Sequence, residues 1–303
     1  MPLDGIRVLD LSRLLPGGYC TKLLQAQGAQ VTKIEPPSGD PIRRLPGGAA
    51  YFDALHRGKT LLNLDLRSDR GKEAFRRLIV DADVLVEGFR PGRMERLQVG
   101  YDALSAINPA LVYCAITGYG SDGPMARRAG HDLNYLARSG ALSLMPRSDG
   151  APTIPGVQIA DLAGGLHAAF LIAATLSGRA ATGRGARLEV SMTSLMHGWT
   201  AFARAARLAG LTGLPLTGEL PCYHVYAAPG GHLTVAALEP MFWTEFCHVI
   251  GRDDLITRQF DPGAVSEVQL ELAKASRDDW VARFGDRDVC VEPVMSLEES
   301  EGD

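Results

Sequence analysis

Two residues capable of moving a proton lie next to glycine-containing stretches of the chain. His131 lies in the string Gly130-His131-Asp132, and Asp161 stands ahead of an apolar, helix-like segment. A neutral imidazole near pH 7 is suited to removing a proton, and a carboxylate can serve as a base or a nucleophile. A lone histidine is more often a polar surface or core residue, and an Asp before a helix is more often an N-cap. The two residues alone leave both interpretations open.

A third ionisable residue, Glu239, closes the apolar run 233–238 and is followed by Pro240. Because proline stops strand pairing, this pattern places the Glu239 carboxylate at a strand end. The alternative is a surface glutamate that caps the next helix.

The elements that must position these residues begin with a βαβ unit. A β-branched run at 6–11 stops at the Pro-Gly-Gly turn 16–18, and the segments 19–26 and 30–34 read as a helix and a second strand. This order predicts a right-handed crossover and a parallel sheet.

The same alternation continues, with strands expected at 60–64, 84–86 and 111–116 and a helix at 68–81. The sequence therefore predicts an α/β fold with a doubly wound parallel sheet. Ligands of such sheets lie beyond the carboxyl ends of the strands. We expect the site at that edge, beside 16–18, 87–90 and 117–120.

A change in composition near residue 200 predicts two domains. The boundaries are 1–200 for a large α/β domain, 201–216 for a connecting helix and 217–303 for a small domain. Within the small domain we expect a hairpin over 223–235, helices at 240–250 and 265–284, and a strand at 289–294.

Composition excludes several function classes. Lys+Arg 31 against Asp+Glu 35 gives a formal net charge of −4 without a single-sign field, which argues against a nucleic-acid partner. Five scattered cysteines without metal-ligand spacing predict reduced thiols, no metal site and a cytoplasmic location. The N-terminus has no secretory pattern. The longest apolar helix, expected at 166–176, is too short to cross a membrane, and we expect no membrane partner.

Several strings of the chain resemble class III CoA-transferases, the family that also contains α-methylacyl-CoA racemases. The strings are Leu3–Leu11, Arg57–Lys59, Glu87–Gly92, Gly118–Gly120 and Gly130–Asp132. The similarity runs in register from residue 3 to about residue 297. It implies a Rossmann-like large domain, a smaller α+β domain, an interlocked homodimer, and an acyl-CoA thioester as substrate without a prosthetic group.

The resemblance also implies roles for individual residues. Asp161 would attack the thioester in a transferase or move a proton in a racemase, with Gly164 and Gly165 offering amide donors to the oxyanion. His131 would be the second proton-transfer group, and Glu239 its partner. The residues expected to contact CoA are Leu14, Lys59, Arg90, Asp132 and Tyr135.

The Gly-His-Asp string resembles the racemase branch, so we favour an epimerase that acts by α-proton transfer through an enolate. The alternative is CoA transfer between carboxylic acids through an Asp161 anhydride. A non-catalytic CoA-binding paralogue is the third interpretation, because relatives usually continue for several dozen residues beyond the point matching this C-terminus.

Two departures from the family pattern bear on the ligand. Pro36 stands where a basic residue is expected, so phosphate contacts are expected to pass to Arg43 or Arg44. The segment 217–223 also differs, which affects the shape of the acyl pocket.

Overall fold

A computed structural model describes residues 1–210 and 216–302. The chain forms two compact units, one over residues 1–201 and one from Phe202 onward. Of the connecting helix expected at 201–216, the structure shows a helix over Ala201–Leu208, and residues 211–215 lie outside the described residues.

The first unit contains eight strands and eight helices among its described residues. The strands are β1 Arg7–Leu11, β2 Gln30–Glu35, β3 Thr60–Asn63, β4 Val84–Glu87, β5 Val112–Thr117, β6 Arg147–Ser148, β7 Ala151–Pro152 and β8 Arg187–Ser191. The helices are α1 Leu14–Ala26, α2 Gly48–His56, α3 Asp69–Val80, α4 Arg93–Arg96, α5 Tyr101–Ser105, α6 Asp132–Ser139, α7 Ile159–Thr182 and α8 Met192–Trp199.

Six parallel strands form the central sheet, in the order β3-β2-β1-β4-β5-β8. This confirms the predicted parallel sheet. The chain winds in opposite directions from β1, because β2 pairs on one side of it and β4 on the other. Such a reversal opens a crevice at the carboxyl ends of the two central strands. The edge strand β8, which follows the longest helix, was not predicted.

Helix α1 begins earlier than the sequence indicated. Pro16, Gly17 and Gly18 form its first turns rather than a turn ahead of it. A proline is tolerated there because the first amides of a helix have no intrahelical partner. The two glycines allow close packing: a Cβ on Gly17 would stand 2.1 Å from the Ser12 Cβ, and one on Gly18 would stand 3.1 Å from the His56 ring.

Helix α7 is also longer than predicted, since it begins at Ile159 rather than at 166 and ends at Thr182. Among the described residues it is the one helix long and apolar enough to cross a membrane by length and composition, with 44% of its most apolar window buried. It packs against α1, α6, α8 and the sheet, as a core helix does.

The second unit is an α+β layer with its own core. Its elements are α9 Ala201–Leu208, which starts at the division, β9 Tyr223–Ala228, β10 Gly231–Ala236, α10 Pro240–Ile250, α11 Val265–Leu272, α12 Arg277–Phe284, β11 Val291–Pro293 and α13 Leu297–Ser300. The hairpin is confirmed. The prediction of a single helix over 265–284 is wrong. A new helix begins after Ser276, whose side chain accepts a hydrogen bond from the Asp279 amide.

The contact between α1 and α7 predicts opposite effects for two glycines of one helix. A Cβ on Gly165 would stand 2.4 Å from the Pro16 carbonyl oxygen, whereas a Cβ on Gly178 would meet nothing within 4 Å. Gly165→Ala should therefore lower the free energy of unfolding by about 1–3 kcal/mol. Gly178→Ala should raise it by about 0.5–1 kcal/mol, since alanine favours a helix interior. Urea denaturation measures both, and equal effects would contradict the packing described.

Candidate active site

A cavity of about 520 Å³ opens at the carboxyl ends of β1, β4 and β5 in the first unit. This is the edge at which the sequence predicted a ligand. Its lining residues lie within four segments, 13–17, 88–96, 116–119 and 126–135, and also include Pro41, Asp161 and Met192.

The cavity is strongly cationic. Among the described residues that line it, one is acidic, Asp161, and five are arginines: Arg13, Arg90, Arg93, Arg96 and Arg128. One guanidinium group can donate two parallel hydrogen bonds to the oxygens of a phosphate group. A cavity lined by several arginines therefore suits a ligand with several anionic groups. Arg90 was predicted from the sequence. The other four were missed, because an arginine on a loop or a short helix leaves no periodic signal.

Asp161, the third residue of α7, presents a half-buried carboxylate to this cavity. Burial, and then the negative charge of Asp132, raise the pKa of Asp161 from its ordinary 3.8 to about 7. Both protonation states of the carboxyl group are therefore populated near neutral pH. That is the condition for a group that must both accept and return a proton.

Asp132 holds the end of α7 that carries Asp161. Its Oδ1 atom accepts hydrogen bonds from the backbone N–H groups of Ala160, at 2.6 Å, and Asp161, at 3.1 Å. These amides lack intrahelical partners, and a carboxylate satisfies them and complements the helix dipole. The described contacts of Asp132 lie on this helix end, and its expected contact with CoA stays a prediction.

His131 lines the same cavity and precedes the first residue of α6. Its backbone N–H donates to the Asn134 Oδ1 atom over 3.0 Å, which fixes the main chain at the helix start. The side chain is exposed. The structure thus brings His131 and Asp161, 30 positions apart in sequence, to the walls of one cavity.

Tyr135 closes the cavity between two glycines. A Cβ on Gly118 would stand 2.4 Å from the Tyr135 ring, and one on Gly130 would stand 2.8 Å from it. The Tyr135 hydroxyl donates to the Gly130 carbonyl oxygen. Burial, and then the charge of Asp161, raise the pKa of Tyr135 to about 12, so that the hydroxyl stays protonated.

The oxyanion role expected for Gly164 and Gly165 is not supported by their position. Both are buried in the second turn of α7, where each amide bonds to the carbonyl four residues earlier. Their lack of a side chain serves packing instead: a Cβ on Gly164 would stand 2.7 Å from the Met192 Cγ atom.

Lys59 is likewise corrected from a phosphate contact to a core residue. Its side chain is fully buried, and its ammonium group bonds to Asp10 Oδ2 at 3.3 Å and Thr21 Oγ1 at 2.6 Å. Burial by itself would raise the pKa of Asp10, but the charges of Lys33 and Lys59 hold it well below its usual range. Lys59 belongs to a buried ionic cluster beneath the end of β1.

That cluster helps to shape the turn before α1. The Lys33 ammonium donates to the Ser12 carbonyl oxygen at 2.6 Å and pairs with Asp40 at 3.1 Å, and Asp40 accepts from the Leu14 amide at 3.3 Å. Leu14 lines the cavity with a φ of 60°, a conformation that is unfavourable for a leucine. The surrounding bonds hold Leu14 in this strained state.

The two arginines expected to compensate for Pro36 behave differently. Arg43 pairs with Glu35 at 3.0 Å and stacks on the Phe52 ring. Arg44 lines a smaller depression of about 150 Å³ on the same edge of the sheet, together with Arg67.

Glu239 lies in the second unit, exposed, at the residue before α10. This position fits both the strand end and the helix start that the sequence suggested. Its pairing with His131 stays a hypothesis.

Comparisons with known proteins agree over nearly the whole chain. The profile of CoA-transferase family III matches residues 3–303. The human protein named alpha-methylacyl-CoA racemase is 36% identical, over 99% of this chain and 79% of its own length. The succinyl-CoA:mesaconate CoA-transferase of Haloarcula hispanica is 34% identical, over 92% of this chain and 75% of its own. A crystal structure of a CaiB/BaiF family protein from Brucella suis superposes with a TM-score of 0.87 at 30% identity, covering all of this chain and 86% of that one.

The raised pKa of Asp161 predicts a pH-dependent cost to stability. The unfolded state loses this proton near pH 3.8 and the folded state near pH 7. Above about pH 4 the wild type should therefore lose stability relative to Asp161→Asn, and the difference should level off above about pH 7 at no more than about 4 kcal/mol. Urea denaturation from pH 4 to pH 8 measures this difference. Asp102→Asn, at an exposed carboxylate, is the control. A difference that stays constant with pH would contradict the assignment.

Proposed function

The chain belongs to CoA-transferase family III, and we propose that within this family it epimerises the α-carbon of a 2-methylacyl-CoA thioester. The single observation that carries this proposal is that Asp161 and His131 line the same cavity. Burial raises the pKa of Asp161 to about 7. A carboxyl group and an imidazole in one cavity supply the two acid/base groups that a reversible proton transfer requires.

The reaction needs no co-reactant. One of the two groups takes the α-proton, and the electron pair of the C–H bond passes to the thioester oxygen as an enolate. The other group, already protonated, then delivers its proton to the opposite face of the α-carbon. Either enantiomer is converted, because each group can act as the acid or the base.

CoA would be held by the arginines of the cavity. Arg90, Arg93 and Arg96 lie on the segment after β4, and Arg128 lies on the loop before α6. Their planar donors suit the diphosphate and the ribose phosphate of CoA.

CoA transfer between carboxylic acids is the second candidate, favoured by relatives that carry that name. In that reaction an ionised Asp161 attacks the thioester carbon and CoA leaves as its thiolate, giving a mixed anhydride. A raised pKa leaves only part of Asp161 ionised at neutral pH, and the mechanism gives His131 no role. The non-catalytic alternative is weaker still, because both acid/base residues line the cavity.

The experiment follows the α-hydrogen of a 2-methylacyl-CoA in deuterium oxide by NMR. Wild type should exchange it for deuterium and interconvert the two enantiomers. His131→Ala should stop interconversion, with a loss of about 10²–10⁴-fold. Asp161→Asn should do the same.

His248→Ala, at an exposed histidine of the second unit, is the matched control and should exchange like the wild type. Wild-type enzyme that incorporates no deuterium, but yields an Asp161 hydroxamate when treated with hydroxylamine and acyl-CoA, would overturn the racemase proposal. That result would establish the transferase reaction.

The active form is proposed to be a homodimer, as the family resemblance implied. Leu166 and Phe170 lie one turn apart on α7 and are 54% and 64% exposed. Large apolar side chains exposed together mark an interaction surface.

Phe170→Glu should therefore shift the molar mass measured by light scattering from that of a dimer to that of a monomer. Leu61→Glu, at a comparably exposed residue on β3, should leave the dimer intact. A wild-type protein that is monomeric at all concentrations would contradict the dimer.

A further inference from the structure

A third, much smaller cavity of about 30 Å³ lies beside the segment that carries Arg90. Its ionisable lining comes from four elements and one loop, and comprises Glu87, Glu95, Tyr113, Arg187, Glu189 and Arg90. Glu87, the last residue of β4, is only 6% exposed. No step of the proposed reaction uses this carboxylate.

Both oxygens of Glu87 are engaged. Oε2 accepts the backbone N–H of Phe89 at 2.6 Å, and Oε1 accepts the Tyr113 hydroxyl at 3.2 Å. The hydrogen bond from the Phe89 amide joins the end of β4 to a residue two positions later in the chain. It therefore restrains the main chain of residues 88–90. Glu87 thus ties a loop to the sheet.

That loop forms part of the wall of the large cavity. Phe89 and Arg90 both line it, and the guanidinium of Arg13 lies 4.6 Å from the centre of the Phe89 ring. A weaker hydrogen bond to the Phe89 amide would therefore affect two arginines that line the cavity. Arg90 is the next residue in the chain, and the Arg13 guanidinium packs on the Phe89 ring.

The state of the Glu87 carboxyl group changes near neutral pH. Burial is the largest influence and raises its pKa to about 7, with a further increase from the charge of Glu95. The Phe89 amide, the Tyr113 hydroxyl and the charge of Arg187 act in the opposite direction. Both protonation states are populated between about pH 6 and pH 8.

We propose that Glu87 is a positioning residue for CoA, whose ionised carboxylate holds Phe89 and Arg90 in the binding conformation and whose protonation weakens CoA binding. An ionised acceptor makes a shorter and stronger hydrogen bond to an amide than a neutral one does. Among the described residues, Glu87 and Arg187 both line the small cavity and neither lines the large one. The charge of Arg187 favours the ionised carboxylate. We therefore expect the hydrogen bond from Phe89 to Glu87 to affect CoA binding more than the repulsion between Glu87 and the ligand does. The inference rests on the proposed binding of CoA in this cavity, though not on the racemase reaction.

The test is the dissociation constant of free CoA, measured by calorimetry from pH 6 to pH 8 in the Asp161→Asn background. That background removes the other cavity carboxyl group that changes state in the same range. Affinity should fall about 3- to 10-fold from pH 8 to pH 6 through Glu87. The CoA phosphate also titrates near pH 6, and it contributes equally to every variant.

Glu87→Gln keeps the shape and an acceptor oxygen but cannot ionise. It should remove the part of the pH dependence that is due to Glu87 and leave that of the CoA phosphate. Tyr113→Phe removes a bond that favours the ionised carboxylate, so the midpoint of the affinity change should move to higher pH. A merely structural role for Glu87 would not shift this midpoint.

Identical pH profiles in the presence and absence of Glu87, or an unmoved midpoint in Tyr113→Phe, would overturn the inference while leaving CoA binding intact. Arg90→Ala serves as the reference for lost binding and should weaken affinity at every pH. Failure of the wild type to bind CoA at any pH would instead overturn the proposed function on which the inference rests.

Discussion

The site depends on a carboxyl group held at a helix end that another carboxylate already occupies. The N-terminus of a helix normally stabilises a negative charge, and by itself it would lower the pKa of Asp161. Here the Asp132 carboxylate accepts hydrogen bonds from the backbone N–H groups of Ala160 and Asp161. These groups therefore stabilise the charge of Asp132 rather than that of Asp161. Burial then makes the charged form of Asp161 costly, and its pKa rises to about 7.

The rest of the first unit serves to bring this helix end to the cationic crevice. Gly165 lets α7 approach the carbonyl of Pro16 on α1, and Gly164 makes room for Met192. The ionic cluster of Asp10, Lys33 and Lys59 fixes the turn that leads into α1. The turn that carries Arg13 and the helix end that carries Asp161 are thus positioned by different parts of the core.

Much of this was accessible from the sequence because local patterns carry it. Strand and helix alternation predicted the parallel sheet, and the ends of β1, β4 and β5 predicted the edge that holds the cavity. Asp161, His131 and Arg90 were identified from the sequence segments around them, and all three line one cavity.

The errors in the sequence prediction arose where a residue type can serve two structural roles. Gly164, Gly165 and the glycines of α1 serve helix packing, and the Lys59 ammonium group is engaged by Asp10. Long-range partners of this kind, such as Lys59 and Asp10 at 49 positions apart, leave no trace in local sequence. The sheet strand β8 and the break between α11 and α12 were missed for a related reason, since tertiary packing and one capping serine decide them.

The central claim is that Asp161 is poised to exchange a proton near neutral pH, and its own titration tests this most directly. Carbon-13 NMR of protein labelled at the aspartate carboxyl carbon follows each group from pH 3 to pH 9, and the signal absent from Asp161→Asn identifies Asp161. The account predicts a midpoint near pH 7, as burial and Asp132 require. A midpoint near the ordinary value of 3.8 would show a permanently ionised carboxylate, suited to nucleophilic attack rather than to proton transfer, and would contradict the account.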